Sequence, residues 1–452
     1  MLLEPKKSAL FQRDLHNPVP VVVKGEGAYL IDDDGKRYLD ASGGPAVSCL
    51  GHSHPLVIEE IKKQLDSVAY AYSMFFTTPA IEELSERLVA QAPAGLTKAF
   101  FVGSGSEAVE AAMKLARQYF LEIGQPSRRL FIARERSYHG NTLGALALGG
   151  DANRRAPYQP LLMDVTHIGP CYEYRGRRAD ESAEQYGLRV ANELEDAIQR
   201  LGAGNVAAFF AEPVVGASLG CAPPVPGYLK RLREICDRHG VLLVFDEVMC
   251  GMGRTGHMYA CNEDGVAPDI LTMAKGLGGG YQPIGGLLIA QRIFEAIANG
   301  SGMLKHGHTY AGHTLSVAAA LGVQKAIERE GLLARVRQLS GLMFARLQER
   351  FGQHPHVGDI RGRGLFIGLE LVADRDTKEP FDPKARLWQR VRRTGFEEGI
   401  VCYPTGGCID GVRGDHVVLA PPFILADRQV DEIVDKLDRT IERSVAAARA
   451  PK

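Results

Sequence analysis

Short apolar runs alternate with helical stretches through the middle of the chain, up to about residue 290. Each run ends abruptly in polar or glycine residues. The six runs are KAFFV (98–102), LFIAR (130–134), VAAFFAEPV (206–214), VLLVFDEV (241–248), DILTMAK (269–275) and GGLLIA (285–290). Continuous apolar strands that alternate with helices are typical of a mostly parallel sheet covered on both faces. The pattern predicts an α/β fold in which ligands bind beyond the carboxyl ends of these strands.

The two ends of the chain show a different pattern. Residues 20–40 predict a hairpin, with two β-rich runs joined at the strong turn pair Asp34-Gly35. Helical periodicity is predicted in four segments: 56–69, 80–91, 314–351 and 427–448. Strand-like pieces lie between the last two segments: LFIGLEL (365–371) and HVVLAPPF (416–423). The part after about residue 320 is therefore predicted to belong to a second, α+β domain.

Composition and charge narrow the function classes. The chain has 452 residues with Lys+Arg 53 and Asp+Glu 54, so its formal net charge is −1 and nothing in it calls for nucleic acid or an acidic membrane surface. It lacks a run of 18 apolar residues, and its start lacks an apolar signal core, so we expect no membrane span. The 8 Cys are scattered without a C-x-x-C motif, which favours a reducing cytoplasm over a disulfide framework.

The first strand runs into GSGSEAVEAAMKLARQYF (103–120), where apolar residues recur at helical spacing. Ser104-x-x-Glu107 forms a capping-box pattern, and one interpretation is simply a well-capped helix. The other is a phosphate site, because Gly105 lets backbone N–H groups approach an anion and Ser106 adds a hydroxyl at a helix N-terminus. The Gly-Lys-Ser/Thr of a nucleotide P-loop is missing, which disfavours ATP.

Three other strand ends carry residues that suit a flat, charged ligand. Tyr138 and His139 follow the second run and can stack on a ring, although packing of a buried Tyr or His explains them as well. Asp246 ends a buried run and needs a partner, either in a turn or as a positive ligand nitrogen. Lys275 lies between an apolar strand and the glycine-rich LGGGYQPIGG. Burial there lowers a lysine's pKa and favours a Schiff-base nucleophile, the alternative being a solvated lysine.

Two further motifs are weaker. GMGRTG (251–256) matches the dinucleotide pattern G-x-G-x-x-G, but no long amphipathic helix follows it, so we reject that interpretation. HGHTYAGH (306–313) has three His but no acidic or Cys residue among them, so a metal site is disfavoured.

Taken together, the motifs resemble those of class III, fold-type-I pyridoxal-phosphate (PLP) aminotransferases of the omega-aminotransferase type. They occur in order: GSGSEA, SYHG, AEPV, DEV-x-x-G-x-G-R-T-G, PD-x-x-x-x-AKG and HGHTY-x-GH. The resemblance implies PLP fold type I, with a large domain around a mostly parallel seven-stranded sheet and a small α+β domain built from both chain ends. The implied parts are an N-terminal segment of the small domain (1–65), the large PLP-binding domain (66–320) and the C-terminal small domain (321–452).

The resemblance also implies residue roles. Lys275 would hold PLP as a Schiff base and shuttle a proton, and Asp246 would pair with the pyridinium nitrogen and favour its electron-sink form. The implied cofactor-binding residues are Gly105, Ser106, Tyr138, His139, Glu212, Asp246, Val248, Lys275 and Thr309. Thr309 would reach the phosphate of a neighbouring subunit, which implies a homodimer or a dimer of dimers with shared active sites.

The substrate pocket departs from the family pattern. Tyr72 and Phe76 are expected as pocket walls, and Ala46 stands where some relatives have a bulky Trp, which implies a roomier pocket. Tyr403 takes the place of a mobile Arg that clamps substrate carboxylate in many relatives. Arg413 follows in an insertion and has two interpretations, a substitute clamp or a surface residue.

The function implied by the resemblance is transfer of an amino group from an amine or ω-amino acid to a 2-oxo acid, with pyruvate the expected acceptor, by a ping-pong mechanism. The alternatives are other PLP chemistry on the same scaffold, namely a phospho-lyase, decarboxylase or aminomutase, and a non-catalytic PLP-binding module.

Overall fold

Strands and helices alternate along most of the chain, of which the computed structural model describes residues 2–5 and 8–449. The strands are β1 Leu2–Leu3, β2 Val19–Pro20, β3 Val22–Glu26, β4 Tyr29–Asp32, β5 Arg37–Asp40, β6 Leu96–Val102, β7 Leu130–Arg134, β8 Thr166–Ile168, β9 Val206–Ala211, β10 Leu242–Asp246, β11 Ile270–Met273, β12 Gly285–Ala290, β13 Val357–Arg363, β14 Phe366–Leu371, β15 Ile400–Val401, β16 Tyr403–Gly406 and β17 Asp415–Leu419. The helices are α1 Gly43–Ala46, α2 Pro55–Ser67, α3 Pro79–Ala90, α4 Gly105–Glu122, α5 Leu143–Leu148, α6 Ala152–Arg155, α7 Glu173–Gly176, α8 Ala183–Leu201, α9 Tyr228–His239, α10 Gln291–Asn299, α11 Thr314–Arg329, α12 Leu332–Phe351, α13 Leu387–Glu398 and α14 Asp427–Arg449.

A seven-stranded sheet forms the centre of the molecule, in the order β6-β12-β11-β10-β9-β7-β8. Only β12 runs antiparallel to its neighbours within this sheet. All six apolar runs form its strands, so the predicted mostly parallel α/β sheet is confirmed. The seventh strand, β8, has three residues with one buried, which is too short a signal for the apolar pattern.

The central strands are buried along their whole length because both faces of the sheet are covered. Every residue of β9 and β10 is buried. The helix α4 packs against β9, β10, β11 and β12, and α9 packs against β10. The helical spacing predicted for α4 is confirmed, since its apolar positions Val109, Ala112, Met113, Ala116 and Phe120 are all buried.

Two smaller sheets use the ends of the chain. One has the order β15-β5-β4-β3 and the other β13-β14-β17-β16. The parallel pairing of Ile400 with Leu39 joins β15 to β5 and so brings C-terminal and N-terminal segments into one sheet. The domain limits at residues 65 and 320 stay a prediction.

Residues 20–40 differ from the predicted hairpin. The turn at Gly35 is present, with its N–H donating to the Asp32 carbonyl at 3.0 Å. The first β-rich run, however, reverses direction at Gly27, whose φ of +56° suits a glycine, and splits into β3 and β4. The segment is therefore a meander that includes three strands, β3, β4 and β5, and the two-run prediction was wrong in this respect.

The predicted helical segment at 314–351 is also divided. It forms α11 and α12, separated at Gly331, which has a φ of +61°. The apolar spacing continues on both sides of this glycine, so periodicity alone did not show the break. Within residues 2–5 and 8–449, every helix is too short or too polar to cross a membrane.

Candidate active site

A cavity of about 450 Å³ lies where β7, β9, β10 and β11 end. It is lined by every predicted cofactor residue except Thr309: Gly105, Ser106, Tyr138, His139, Glu212, Asp246, Val248 and Lys275. The carboxyl ends of neighbouring parallel strands meet at one edge of a sheet, which is why residues distant in sequence meet here.

Asp246 is held from two sides at the end of β10. Its Oδ2 lies 2.8 Å from His139 Nδ1, and both side chains are buried. Its Oδ1 accepts hydrogen bonds from the Val248 N–H at 3.0 Å and from Thr272 Oγ at 3.3 Å. These hydrogen bonds orient the buried carboxylate at the cavity floor. It can face a positive nitrogen of a ligand.

Lys275 sits in a tight turn directly after β11, with a φ of +43°. This left-handed backbone conformation is unusual for a lysine and aims its side chain into the cavity. Burial lowers the Lys275 pKa to about 8, although the charge of Asp246 works against that change. A larger share of neutral amine is therefore present near neutral pH than an exposed lysine would have, which suits a nucleophile.

The N-terminus of α4 forms the opposite wall of the cavity. Ser104 caps the helix, since its Oγ accepts from the Glu107 N–H at 3.2 Å, as the sequence predicted. The Glu107 carboxylate accepts from the Gly103 N–H at 2.7 Å rather than from Ser104, so the reciprocal half of the capping box is displaced by one residue.

Two glycines keep this wall close to its neighbours. A Cβ on Gly105 would lie 3.0 Å from Val248 Cγ1. Gly140 has a φ of +141°, and a Cβ there would lie 2.6 Å from Ser106 Oγ. That hydroxyl already accepts from the Asn141 N–H at 3.0 Å. Larger residues would fill the space between a helix N-terminus and a hydroxyl, the usual environment of a bound phosphate.

Glu212 positions the loop that carries Tyr138. Its Oε1 accepts from the Tyr138 N–H at 3.1 Å and its Oε2 from the Gly216 N–H at 2.8 Å. Burial raises the Glu212 pKa. Tyr138 and Val248 both line the cavity, so a flat ligand can lie against an aromatic ring and an aliphatic side chain. A helix N-terminus lined by glycines, a buried carboxylate and a buried amine are thus combined in one cavity, and this set of groups fits PLP.

Comparison with known proteins agrees with this geometry. The family model for class-III aminotransferases matches residues 10–441. The chain belongs to the class III aminotransferases. Their cofactor is PLP, so the predicted family and cofactor are confirmed. An uncharacterised aminotransferase of Schizosaccharomyces pombe is 46% identical over 443 residues, which cover 98% of this chain and 96% of that protein.

Two further relatives are more informative about chemistry. The putrescine–pyruvate aminotransferase of Pseudomonas aeruginosa is 32% identical over 432 residues, covering 95% of this aminotransferase and 92% of that protein. The omega transaminase of Pseudomonas jessenii, solved in complex with PMP, matches with a TM-score of 0.89 and 33% identity over 95% of this chain and 93% of that one. The fold is therefore PLP fold type I, as the sequence predicted.

Five predicted site residues of this aminotransferase lie outside the cavity: Tyr72, Phe76, Thr309, Tyr403 and Arg413. Tyr72 and Phe76 line a separate cavity of about 640 Å³ beside α2, α3 and α11. Thr309 is exposed, and its carbonyl accepts from Tyr70 Oη at 2.8 Å. Tyr72, Phe76 and Thr309 lie on neighbouring exposed segments, and their roles stay predictions.

Tyr403 and Arg413 occupy different environments. Tyr403 packs against the buried cluster that includes Ala46 and Met249, and Met249 lines the cavity, so Tyr403 adjoins the site. The Arg413 side chain is 52% exposed and its Nε lies 2.7 Å from Asp410 Oδ2. Its position accords with the surface interpretation, because a carboxylate three residues away already pairs with the guanidinium.

The cavity also contains residues that sequence reasoning missed. Val47 reaches it from the N-terminal part of the chain, and residues 280–284 form another wall. The glycines after Lys275 indicated a tight turn there but not its side chains. No local signal marked Val47, because its contact depends on long-range packing.

Proposed function

We propose that this protein transfers an amino group from an amine or ω-amino acid to a 2-oxo acid, with pyruvate as the acceptor. The observation that carries the proposal is the convergence of Lys275 and the Asp246–His139 pair in one cavity below the α4 N-terminus. The putrescine–pyruvate relative supports the choice of amine and pyruvate as the two substrate types.

The residues present fit PLP, because the glycine cradle would be blocked by a Cβ and the carboxylate faces the same space. Bound PLP supplies an electron sink for the charge that remains when a substrate carbon loses its proton. Ser106 and the first N–H groups of α4 would hold its phosphate, and Tyr138 and Val248 would hold its ring.

Among the protein's own residues, Lys275 and Asp246 would take part directly in the reaction. Lys275 Nζ would hold the cofactor covalently and, once released by the incoming amine, would move the proton at the substrate carbon. Its lowered pKa of about 8 suits both tasks, since a base near the working pH both gives and takes a proton readily. Asp246, oriented by His139 and Thr272, would keep a proton on the ring nitrogen. Donor and acceptor would use this one cavity in turn, which is the basis of a ping-pong mechanism.

The test of this function is a half-reaction. Purified holoenzyme mixed with an amine and no 2-oxo acid should lose its PLP absorbance and accumulate pyridoxamine phosphate, measured by chromatography. Added pyruvate should restore the PLP form and yield alanine. Release of carbon dioxide or phosphate without pyridoxamine phosphate would instead favour a decarboxylase or phospho-lyase.

We further propose a homodimer, or a dimer of dimers, with shared active sites. Support comes from large apolar side chains left exposed on one chain, with Phe75 at 74% and Phe76 at 66%. Tyr310, beside Thr309, lies against Tyr70 at a ring separation of 5.8 Å, so the two exposed segments adjoin. Sedimentation of wild type and Phe75→Asp tests this proposal: an active wild-type monomer would contradict the dimer, and a variant that stays dimeric and active would place Phe75 outside the shared interface. The 8 cysteines are all buried free thiols, which supports a reducing compartment such as the cytoplasm.

A further inference from the structure

A second polar cavity, of about 570 Å³, shares no lining residue with the active-site cavity in the described part of the chain. One wall comes from the segment around α7, residues 172–179, and another from β13, residues 359–361. Lys378 lines the cavity as well. A ligand held here would contact two segments that are distant in sequence, and the proposed transamination uses neither of them.

Basic side chains outnumber acidic ones along this cavity. Among the described residues, its charged lining consists of four cations and two acids: Arg177, Arg178, Arg361, Lys378, Glu173 and Asp359. Both acids are already paired within the chain. Glu173 Oε1 lies 3.1 Å from Arg177 Nε, and Asp359 Oδ2 lies 2.8 Å from Arg361 Nη1. The two remaining cations therefore carry the excess positive charge of the cavity.

Arg178 and Lys378 are these two cations. Within residues 2–5 and 8–449, neither has an acidic partner within 4.0 Å, and the exposed Arg178 side chain makes no hydrogen bond. Lys378 Nζ donates to the Tyr174 carbonyl at 2.6 Å and lies 4.6 Å from the centre of the Tyr174 ring. An aromatic face positions a cation without neutralising it, and an ammonium group has three N–H donors. Donors of both side chains thus stay available for a ligand.

The Tyr174 hydroxyl is a further unused donor. Tyr174 lines the cavity, and its Oη is shielded from solvent without a hydrogen-bond partner in the described part of the chain. The oxygen is held against β13, since a Cβ on Gly358 would collide with it. Burial raises the pKa of Tyr174 to about 12, so the hydroxyl keeps its proton and can donate to an anion. A buried polar group without a partner is costly, and a ligand oxygen would remove that cost.

These donors favour an anion with several oxygens. Guanidinium and ammonium groups form their strongest hydrogen bonds with carboxylate and phosphate oxygens, and a phenol adds a neutral donor. A monoanion would leave one of the two free cations without a partner. A dianion would satisfy both, because its charge matches theirs.

We propose that this cavity is a second binding site, which takes a small dianion through Arg178, Lys378 and the Tyr174 hydroxyl. The dianion carries either a phosphate group or two carboxylates, which share this chemistry. The site is separate from the proposed transamination and does not depend on it.

Calorimetry on PLP-saturated holoenzyme tests the site, because the bound cofactor keeps free phosphate out of the α4 N-terminus. The probes are inorganic phosphate, succinate and, as a monoanion, acetate. Wild type should bind at least one dianion with a Kd below about 10 mM, and acetate about tenfold more weakly. Binding of phosphate alone would assign a phosphate group, and binding of succinate alone a dicarboxylate. Binding of neither dianion, or equal binding of acetate, would overturn the proposal.

Charge variants locate the binding. Arg178→Gln and Lys378→Gln should each weaken dianion binding about fivefold to tenfold, as expected of one charge-assisted pair near solvent. Both side chains are exposed, so we expect these variants to fold, which thermal unfolding checks. Arg393→Gln is the control, because it removes the same charge from a side chain that is 69% exposed on α13. Equal Kd values in all three variants would place the anion elsewhere and overturn the site.

Two further variants separate a binding role from a structural one. Tyr174→Phe keeps the ring beside Lys378 and removes only the hydroxyl, so dianion binding should weaken about threefold. Glu173→Gln frees Arg177 from its ion pair and should tighten binding about twofold to threefold. A variant that only loosened the structure would not bind the dianion more tightly. Weaker binding in Glu173→Gln would therefore contradict an electrostatic site.

Discussion

The floor of the cavity and the exposed segments near it are built in different ways. The floor, formed by His139, Glu212, Asp246 and Lys275, lies beyond the ends of the buried strands at the centre of the sheet. Its carboxylates are held by hydrogen bonds from the same chain. The exposed segments, 70–76 and 303–310, present large apolar rings to solvent, and the loop around Arg413 presents a locally paired arginine.

This difference shows where chemistry and specificity are determined. The floor is complete within one chain, because each strand end is fixed by the packing of the whole sheet. The exposed segments leave large apolar side chains in solvent, which a second subunit would cover under the proposed dimer. We therefore expect changes in the floor to affect every substrate strongly, and changes in the exposed segments to affect assembly or particular substrates.

The largest effect is expected from Lys275→Ala in the floor. Removing the amine removes both the covalent attachment of PLP and the proton transfer, so turnover should fall about a thousandfold or more. Borohydride reduction of wild type should fix the cofactor on the peptide that contains Lys275, as mass spectrometry would show. Lys230→Ala, at an exposed position on α9, should behave like wild type. Label on another lysine would rule out the assignment.

Asp246→Asn should have the next largest effect, because the side chain keeps its size but loses the charge opposite the ring nitrogen. A coupling of about two pKa units corresponds to about 2.7 kcal/mol, or roughly a hundredfold loss in rate. Circular dichroism should show an intact fold. Thr272→Val removes only the hydrogen bond at 3.3 Å and should cost less than about tenfold. A near-normal rate in Asp246→Asn would exclude its pairing with the cofactor.

The pH dependence of cofactor uptake gives a third test of the floor. The neutral amine of Lys275 is the reactive form, and its pKa is lowered to about 8. The rate at which apoprotein takes up PLP should rise about tenfold per pH unit below that value and become constant above it. Free hexylamine under the same conditions should continue to gain reactivity at higher pH, since its amine is fully solvated. An uptake rate that still rises near pH 10 would contradict a buried lysine.

Sequence alone located the floor better than its surroundings. Asp246 and Lys275 stood out because an apolar run that ends in a charge is a local pattern, and a parallel sheet gathers such ends. Val47 could not be predicted as a cavity residue, because it reaches the cavity only through packing between distant parts of the chain. Gly331 was missed as a break because apolar spacing continues across it.

The smallest effect is expected from Arg413→Ala, the change that best separates the exposed segments from the floor. Its ion pair with Asp410 is local and exposed, and such pairs are screened by solvent and contribute little. Loss of that pair should change either half-reaction by less than about fivefold, with donor and acceptor measured separately.

Asp410→Ala is the matched control, because it breaks the same pair while leaving the arginine in place. If Arg413 were a mobile clamp, Arg413→Ala would raise the KM for pyruvate and Asp410→Ala, by freeing the guanidinium, would lower it. Opposite changes of the pyruvate KM in the two variants would therefore support the clamp interpretation. Equally small changes would support the interpretation of Arg413 as a surface residue.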